Sequence, residues 1–201
     1  MQADFANKNL LKAGKVELKV VILFLADGFE EIEAIGTVDI LRRCGVDVKT
    51  VSVTNSNAVM GAHHIPVVAD LKLDEVTGKK PDAVILPGGM PGADHLQAST
   101  TVNEMLKDCA ERGGLIAAIC AAPKVLGAAG LLTNKKAVCY PGFESELTGA
   151  NVHAARVMED CNVITSRGAG TMHDFAFAIA AYLGKESEAA AVRESMLYDI
   201  E

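Results

Sequence analysis

Cys120 stands where an apolar run, Leu115 to Ile119, meets the small residues Ala121 and Ala122 and then Pro123. A buried strand that turns at once into a helix presents the residue at the turn to the end of a sheet, the arrangement of a nucleophile elbow. Backbone N–H groups at the helix start would point at the sulfur. In such a place a thiol pKa can fall from ~8.5 to between ~3.5 and 7.5, which leaves a thiolate at neutral pH. A free cysteine is more commonly a buried apolar filler. That reading fits Cys44, Cys109, Cys139 and Cys161, which fall inside or at the edges of elements, whereas the position of Cys120 favours chemistry.

Three acids, Glu30, Glu31 and Glu33, open a second helical stretch after Asp27-Gly28-Phe29. One acid there would answer the helix dipole, and three exceed that need. An acid facing a cysteine in a dry crevice would be protonated, or would share its proton with the thiol, and would serve a substrate as general acid or base. Spacing does not select among the three. Gly88 and Gly89, inside Pro87-Gly88-Gly89-Met90-Pro91-Gly92, offer backbone amides to an oxyanion, with a plain tight turn as the ordinary alternative. Tyr140-Pro141-Gly142 and Ser166-Arg167-Gly168-Ala169-Gly170 end two further apolar segments. The histidines His63, His64, His95, His153 and His173 show neither HxxxH nor HExxH spacing, so no metal site is expected, and none directly follows Cys120.

These residues need a scaffold that gathers them. Continuous apolar runs predict strands over Lys19 to Ala26, Val46 to Val53, Asp82 to Leu86, Leu115 to Ile119, Ala137 to Tyr140 and Val163 to Ser166. Helices are predicted over Phe29 to Arg43, Val102 to Arg112, Ala122 to Ala129, Gly170 to Leu183 and Glu186 to Met196. Between Asn55 and Asp70, Gly61 and Pro66 indicate a hairpin or irregular excursion with a weak strand from Ile65 to Ala69. The alternation implies right-handed crossovers and a doubly wound, mostly parallel, flavodoxin-like α/β sheet with helices on both faces. In such sheets ligands bind beyond the carboxyl ends of the strands, where the unusual residues fall.

Of the 201 residues, 50% are hydrophobic and 22% charged, with a net charge of −7, enough to build one core and little like a disordered chain. Residues 19–201 read as one domain, with 1–18 as an extension, natural or a cloning scar. No apolar run reaches the ~18 residues of a membrane span, and scattered Lys and Arg leave no basic stripe for nucleic acid or an anionic membrane. A small-molecule or protein partner is expected. Five cysteines without CxxC spacing argue against disulfides and zinc and point to a reducing, cytoplasmic setting; Lys8, Lys12 and Lys15 without an apolar core do not form a secretory signal.

The chain resembles the ThiJ/PfpI superfamily, in particular the branch of the Parkinson-associated protein deglycase. The resemblance rests on Val21-Ile22-Leu23 leading to Gly28-Phe29-Glu30-Glu31-Ile32-Glu33, on Val38-Asp39 to Arg42-Arg43-Cys44-Gly45, on Leu86-Pro87-Gly88-Gly89, on Gly114 to Ala121, and on Thr165-Ser166-Arg167-Gly168-Ala169-Gly170-Thr171, all in order. It implies that Cys120 is a low-pKa, oxidation-prone cysteine and that Glu33 is the acid bonded to its sulfur. Gly89, with Gly88 beside it, and Ala121 would supply the amides around the sulfur, and Arg43 would lie near the site at a subunit boundary. It further implies a homodimer, no cofactor, glyoxalase activity on methylglyoxal, reversal of early glycation adducts, and stress sensing through a sulfinate.

Two positions depart from the pattern. Tyr140 stands where the deglycase has a pocket histidine, and Ala121 where protease-like relatives have one. A protease is therefore not expected, and proton transfer falls to Glu33 with Tyr140 or water. The expected activity is a cofactor-independent, cysteine-dependent glyoxalase or deglycase acting on small α-oxoaldehydes. The alternative is a redox-sensing or chaperone-like stress protein working through Cys120 oxidation without turnover.

Overall fold

The computed structural model describes residues 20–198. The chain runs β1 (Val21–Leu25), α1 (Glu31–Arg43), β2 (Val48–Ser52), β3 (Ala58–Met60), β4 (Pro66–Val68), β5 (Leu71–Lys72), α2 (Leu73–Val76) and β6 (Ala83–Leu86). It continues through α3 (Gly92–Ala98), α4 (Thr100–Glu111), β7 (Leu115–Ile119), α5 (Pro123–Ala128), β8 (Lys136–Ala137) and β9 (Asn151–Val152). It closes with β10 (Val157–Asp160), β11 (Val163–Ser166), α6 (Met172–Tyr182) and α7 (Glu186–Ser195).

Seven strands form the central sheet in the order β10-β11-β7-β6-β1-β2-β5. Every pairing in it is parallel except β10 with β11. Alternate residues of the buried strands serve two separate cores, as strand pleating requires. Leu23, Ile85 and Ala117 pack with Val38 and Leu41 of α1 and Phe175 and Ile179 of α6. Phe24, Val84 and Ile116 pack on the other face with Leu106 of α4 and Val125 of α5. The doubly wound α/β expectation is therefore met. Ile85 is wholly buried in the first of these cores. Ile85→Val is expected to cost about 1 kcal/mol, read as a lower urea midpoint at unchanged slope.

The differences from the sequence reading have local causes. The Pro87 to Gly92 cluster does not delay the next helix until Val102. α3 begins at Gly92, because Pro and Gly are tolerated where first-turn N–H groups have no intrahelical partner anyway. The segment Ala137 to Tyr140 does not join the central sheet. Its ladder stops at Ala137, paired with β9, and Val138 and Tyr140 are held instead by N–H donation to Thr165 Oγ1 (2.9 Å) and the Cys120 carbonyl (2.8 Å). The antiparallel edge strand β10 reads Val-Met-Glu-Asp, too polar and half-exposed to give an apolar run. Between Asn55 and Asp70 the chain forms the β3–β4 hairpin.

Strand order reverses between β1 and β6. The crevice outside their carboxyl ends lies between the start of α1 and the turn after β6, flanked by the end of β7.

Candidate active site

Cys120 follows β7 with φ of +64°, the left-handed region that a non-glycine residue seldom occupies. Its surroundings hold it there. The Cys120 N–H donates to the Ser166 carbonyl at the end of β11 (2.9 Å), its own carbonyl accepts from Tyr140 N–H (2.8 Å), and Ala122 N–H closes the turn onto Ile119 (3.0 Å). Such strain persists only where neighbours over-determine it, and it lifts the side chain off the strand end into the crevice.

Glu33 enters the same crevice from the first turn of α1 and is 1% exposed. Its Oε2 accepts from Gly88 N–H at 2.8 Å, its Oε1 is buried with no donor in hydrogen-bonding position among the described residues, and its carboxyl interacts with the Cys120 thiol. A Cβ added to Gly88 would lie 2.6 Å from Cys120 Cβ, 2.6 Å from Glu33 Oε2 and 3.0 Å from the Ile119 carbonyl. Only glycine fits that gap. Gly88→Ala is expected to force acid and thiol apart and to lower the unfolding free energy by about 1–3 kcal/mol, checked by urea denaturation. Gly89 has φ of +87° and brings its backbone against Glu30.

The two glycines have different tasks. Gly88 N–H is taken by Glu33, so the amides that face the sulfur are those of Gly89 and Ala121. Of the two glycine amides expected at an oxyanion, that of Gly88 is thus occupied by the acid, and that of Gly89 stays on the sulfur beside Ala121.

Burial works against the expected low thiol pKa. Burial pushes the Cys120 thiol up to about 12, with the charge of Glu33 and its hydrogen bond adding to the rise; the Ala121 and Gly89 amides oppose it and are outweighed. Burial likewise raises Glu33 to about 7, the bonds from Cys120 and Gly88 pulling down and the charge of Glu30 pushing up. Acid and thiol face each other in one buried site, so they titrate as a pair rather than as independent groups. An acid whose raised titration lies near neutrality thus stands beside a thiol, the arrangement that a general base and a nucleophile would need.

Tyr140 is half-exposed at the rim. Its Cδ2 lies 3.3 Å, and Cys120 Sγ 4.0 Å, from the point a Cβ on Gly168 would occupy, so ring and sulfur flank the same glycine. Arg43 does not join them within this chain. It ends α1 ten residues after Glu33, about 15 Å along the axis, and its guanidinium is bound to Asp39 at 2.8 Å.

Two contacts near the site had no signal in the spacing. His63, in the turn after β3, donates its N–H to Glu31 Oε1 (2.7 Å) and sets Nδ1 2.9 Å from Glu31 Oε2, with Glu30 Oε1 3.6 Å away. These three residues place their ligand atoms within 4.8 Å of one another, although both Glu31 oxygens are already engaged. Lys124, one residue into α5, is buried against Asp94 and Glu146. Among the described residues, no helix is long and apolar enough to cross a membrane.

A doubly wound sheet with a strained cysteine at one strand end and a buried acid delivered to it by the first helix defines a class of α/β proteins built around a single thiol. The chain belongs to the DJ-1/PfpI family, which matches residues 19–182. It is 36% identical over 181 residues to Drosophila melanogaster protein dj-1beta, covering 89% of this chain and 97% of that one. It is also 36% identical over 161 residues to a Caenorhabditis elegans protein named glutathione-independent glyoxalase DJR-1.2, covering 79% and 85%. Of an Arabidopsis thaliana relative, DJ-1 homolog B, at 41% identity, the chain spans only 39% of the length. A DJ-1 superfamily protein from Salmonella typhimurium superposes with a TM-score of 0.86 at 39% identity, over 90% of this chain and all of the other.

Proposed function

We propose that this protein is a cofactor-independent glyoxalase that converts methylglyoxal-type α-oxoaldehydes to 2-hydroxy acids, and that early glycation adducts of the same aldehydes enter by the same chemistry. The observation that carries the reading is the Glu33–Cys120 pair, the acid buried, the thiol partly exposed to an incoming aldehyde, and the two held together across Gly88.

Ionised Glu33 takes the thiol proton as sulfur bonds to the aldehyde carbon, and the carbonyl oxygen, cradled by the Gly89 and Ala121 amides, is protonated to a hemithioacetal. A proton then leaves the former aldehyde carbon and another is delivered to the neighbouring keto carbon through an enediol, giving a 2-hydroxy thioester. Glu33 carries these protons with Tyr140 or water as relay. Water cleaves the thioester, releasing the hydroxy acid and restoring the thiol. The sum is aldehyde plus one water, with no external oxidant or reductant.

Lactate formation from methylglyoxal in the absence of glutathione tests this. Steady turnover at neutral pH is expected, and a rate no greater than buffer would overturn the reading. For glycation adducts, the assay includes a trap for free aldehyde, so that direct attack is separated from removal of aldehyde released spontaneously.

A second reading, a redox sensor without turnover, draws on Cys120 being partly exposed at the elbow while Cys44, Cys109 and Cys139 are buried, with exposed Cys161 as the competing thiol. Mild peroxide followed by mass spectrometry should then mark Cys120 selectively although burial raises its thiol, and oxidation spread evenly over all five cysteines, or led by exposed Cys161, would sink it. We also propose a homodimer in a reducing compartment. Ile32 and Ile35 stand 56% and 40% exposed on α1, an apolar face that a second copy would cover, and light scattering gives the mass that decides it.

A further inference from the structure

Lys124 is an unusual residue for its place. It lies in the first turn of α5, where a cation opposes the helix dipole, and its side chain is only 8% exposed. Burying an ammonium is costly unless it is paired. Here the Nζ contacts Asp94 of α3, lies 3.4 Å from Glu146 Oε2, and sits 5.8 Å from the centre of the Phe143 ring.

The three segments that meet at this nitrogen each lead back to the cysteine site. Asp94 belongs to the helix that grows from the Gly88-Gly89 turn, with Ala93 N–H donating to the Gly89 carbonyl at 2.9 Å. Glu146 belongs to a short helical turn that Phe143 joins to Tyr140, Phe143 N–H donating to the Tyr140 carbonyl (3.2 Å) and Glu146 N–H to the Phe143 carbonyl (3.0 Å). Lys124 itself is four residues beyond Cys120, its N–H on the Ala121 carbonyl at 3.3 Å. The backbones are closely seated as well: a Cβ on Gly127 would come within 2.4 Å of the Glu146 carbonyl.

We propose that Lys124 is a positioning residue: its ammonium clamps the Gly89 turn, the Cys120 elbow and the Tyr140 segment to one another, and so holds the amides of Gly89 and Ala121 on the sulfur. The inference rests on Cys120 as the reacting group of the proposed function, but not on which substrate it meets. The titratable side chains facing the sulfur are Glu33 from α1, with Glu30 behind it, and Tyr140 at the rim; Lys124 acts through geometry rather than by contact.

The test is the alkylation rate of Cys120 by iodoacetamide at pH 8, read residue by residue by mass spectrometry, with exposed Cys161 as the control in the same molecule. Lys124→Met is expected to slow Cys120 about tenfold, the effect of one pKa unit at the thiol, and to leave Cys161 unchanged. Lys124→Arg restores most of the rate. The Asp94→Asn/Glu146→Gln double variant separates clamping from charge. It removes two negative charges, which through space alone would speed Cys120, whereas a loosened clamp slows it. A Cys120 rate that is unchanged or faster in that double variant overturns the proposal. If Lys124→Met does not fold, the arginine and double variants still decide. In the lactate assay the clamp variants should lower kcat with KM held, and if lactate never forms from the wild type, the alkylation arm stands alone.

Discussion

Cys120→Ala is expected to reduce lactate formation from methylglyoxal to the buffer rate, a loss of at least about 10³-fold, because the bond that starts the reaction cannot form. The fold should survive. Alanine keeps the same Cβ at φ of +64°, and both backbone bonds of the elbow, to Ser166 and Tyr140, are main-chain bonds that the exchange does not touch. The variant should therefore unfold within about 1 kcal/mol of the wild type in urea. Lactate formation persisting in a folded Cys120→Ala protein would remove the thiol from the mechanism, whatever the oxidation behaviour of the cysteine.

Glu33→Gln is expected to cost about 10²- to 10⁴-fold in turnover, the usual range for losing a placed general base, since an amide still accepts from Gly88 N–H but takes no proton from the thiol. The same exchange has a second signature in stability. Glu33 titrates near 7 in the fold against 4.5 in a free chain, so between these values the folded state holds a proton that the unfolded state has released. The sign follows from linkage: protonated Glu33 supports the fold fully below about pH 4.5, and that support is lost as pH rises through about 7. Over that window the difference amounts to something on the order of 3 kcal/mol. Glutamine cannot ionise, so the wild type should lose stability between pH 4.5 and 7 relative to Glu33→Gln. Parallel urea midpoints for the two proteins across that range would show that Glu33 is not the buried acid described here.

Much of this site is legible in the amino-acid sequence, and the reasons are local. Cys120 announces itself because strand, small residues and proline follow one another within a few positions, and backbone geometry there depends on neighbours in sequence. The same holds for β1, β7 and β11, whose buried runs need no distant partner to be recognised. The choice of Glu33 over Glu30 and Glu31 comes from the family pattern, and the fold supplies its physical reason: Glu33 points into the crevice between β1 and β6, while Glu31 turns to His63. What stays hidden is non-local. Gly88 N–H could serve either an oxyanion or an acid, and only the approach of α1 across 55 residues decides for the acid. That burial and the neighbouring acid push the Cys120 thiol up is likewise a tertiary effect, which no spacing reports. Arg43 and Lys124 are opposite cases. Arg43 has the residue type and the motif, but within one chain it ends α1 far from the thiol and its expected place at a subunit boundary concerns a second copy, whereas Lys124 has the sequence surroundings of an ordinary surface lysine until α3 and the segment after Tyr140 close over it.

The two ends of the central sheet bear on behaviour at high concentration. Long, flat, hydrophobic edge strands recruit strands from other molecules, and among the described residues neither border offers one. On one side β5 is only two residues long and passes directly into α2. On the other, β10 ends in Glu159 and Asp160, so an incoming strand would have to accept two carboxylates along its path. The most apolar strands, β1, β6 and β7, lie in the interior of the array with partners on both sides. The folded molecule should therefore resist fibril growth by strand addition, and its aggregation on heating should track unfolding rather than precede it.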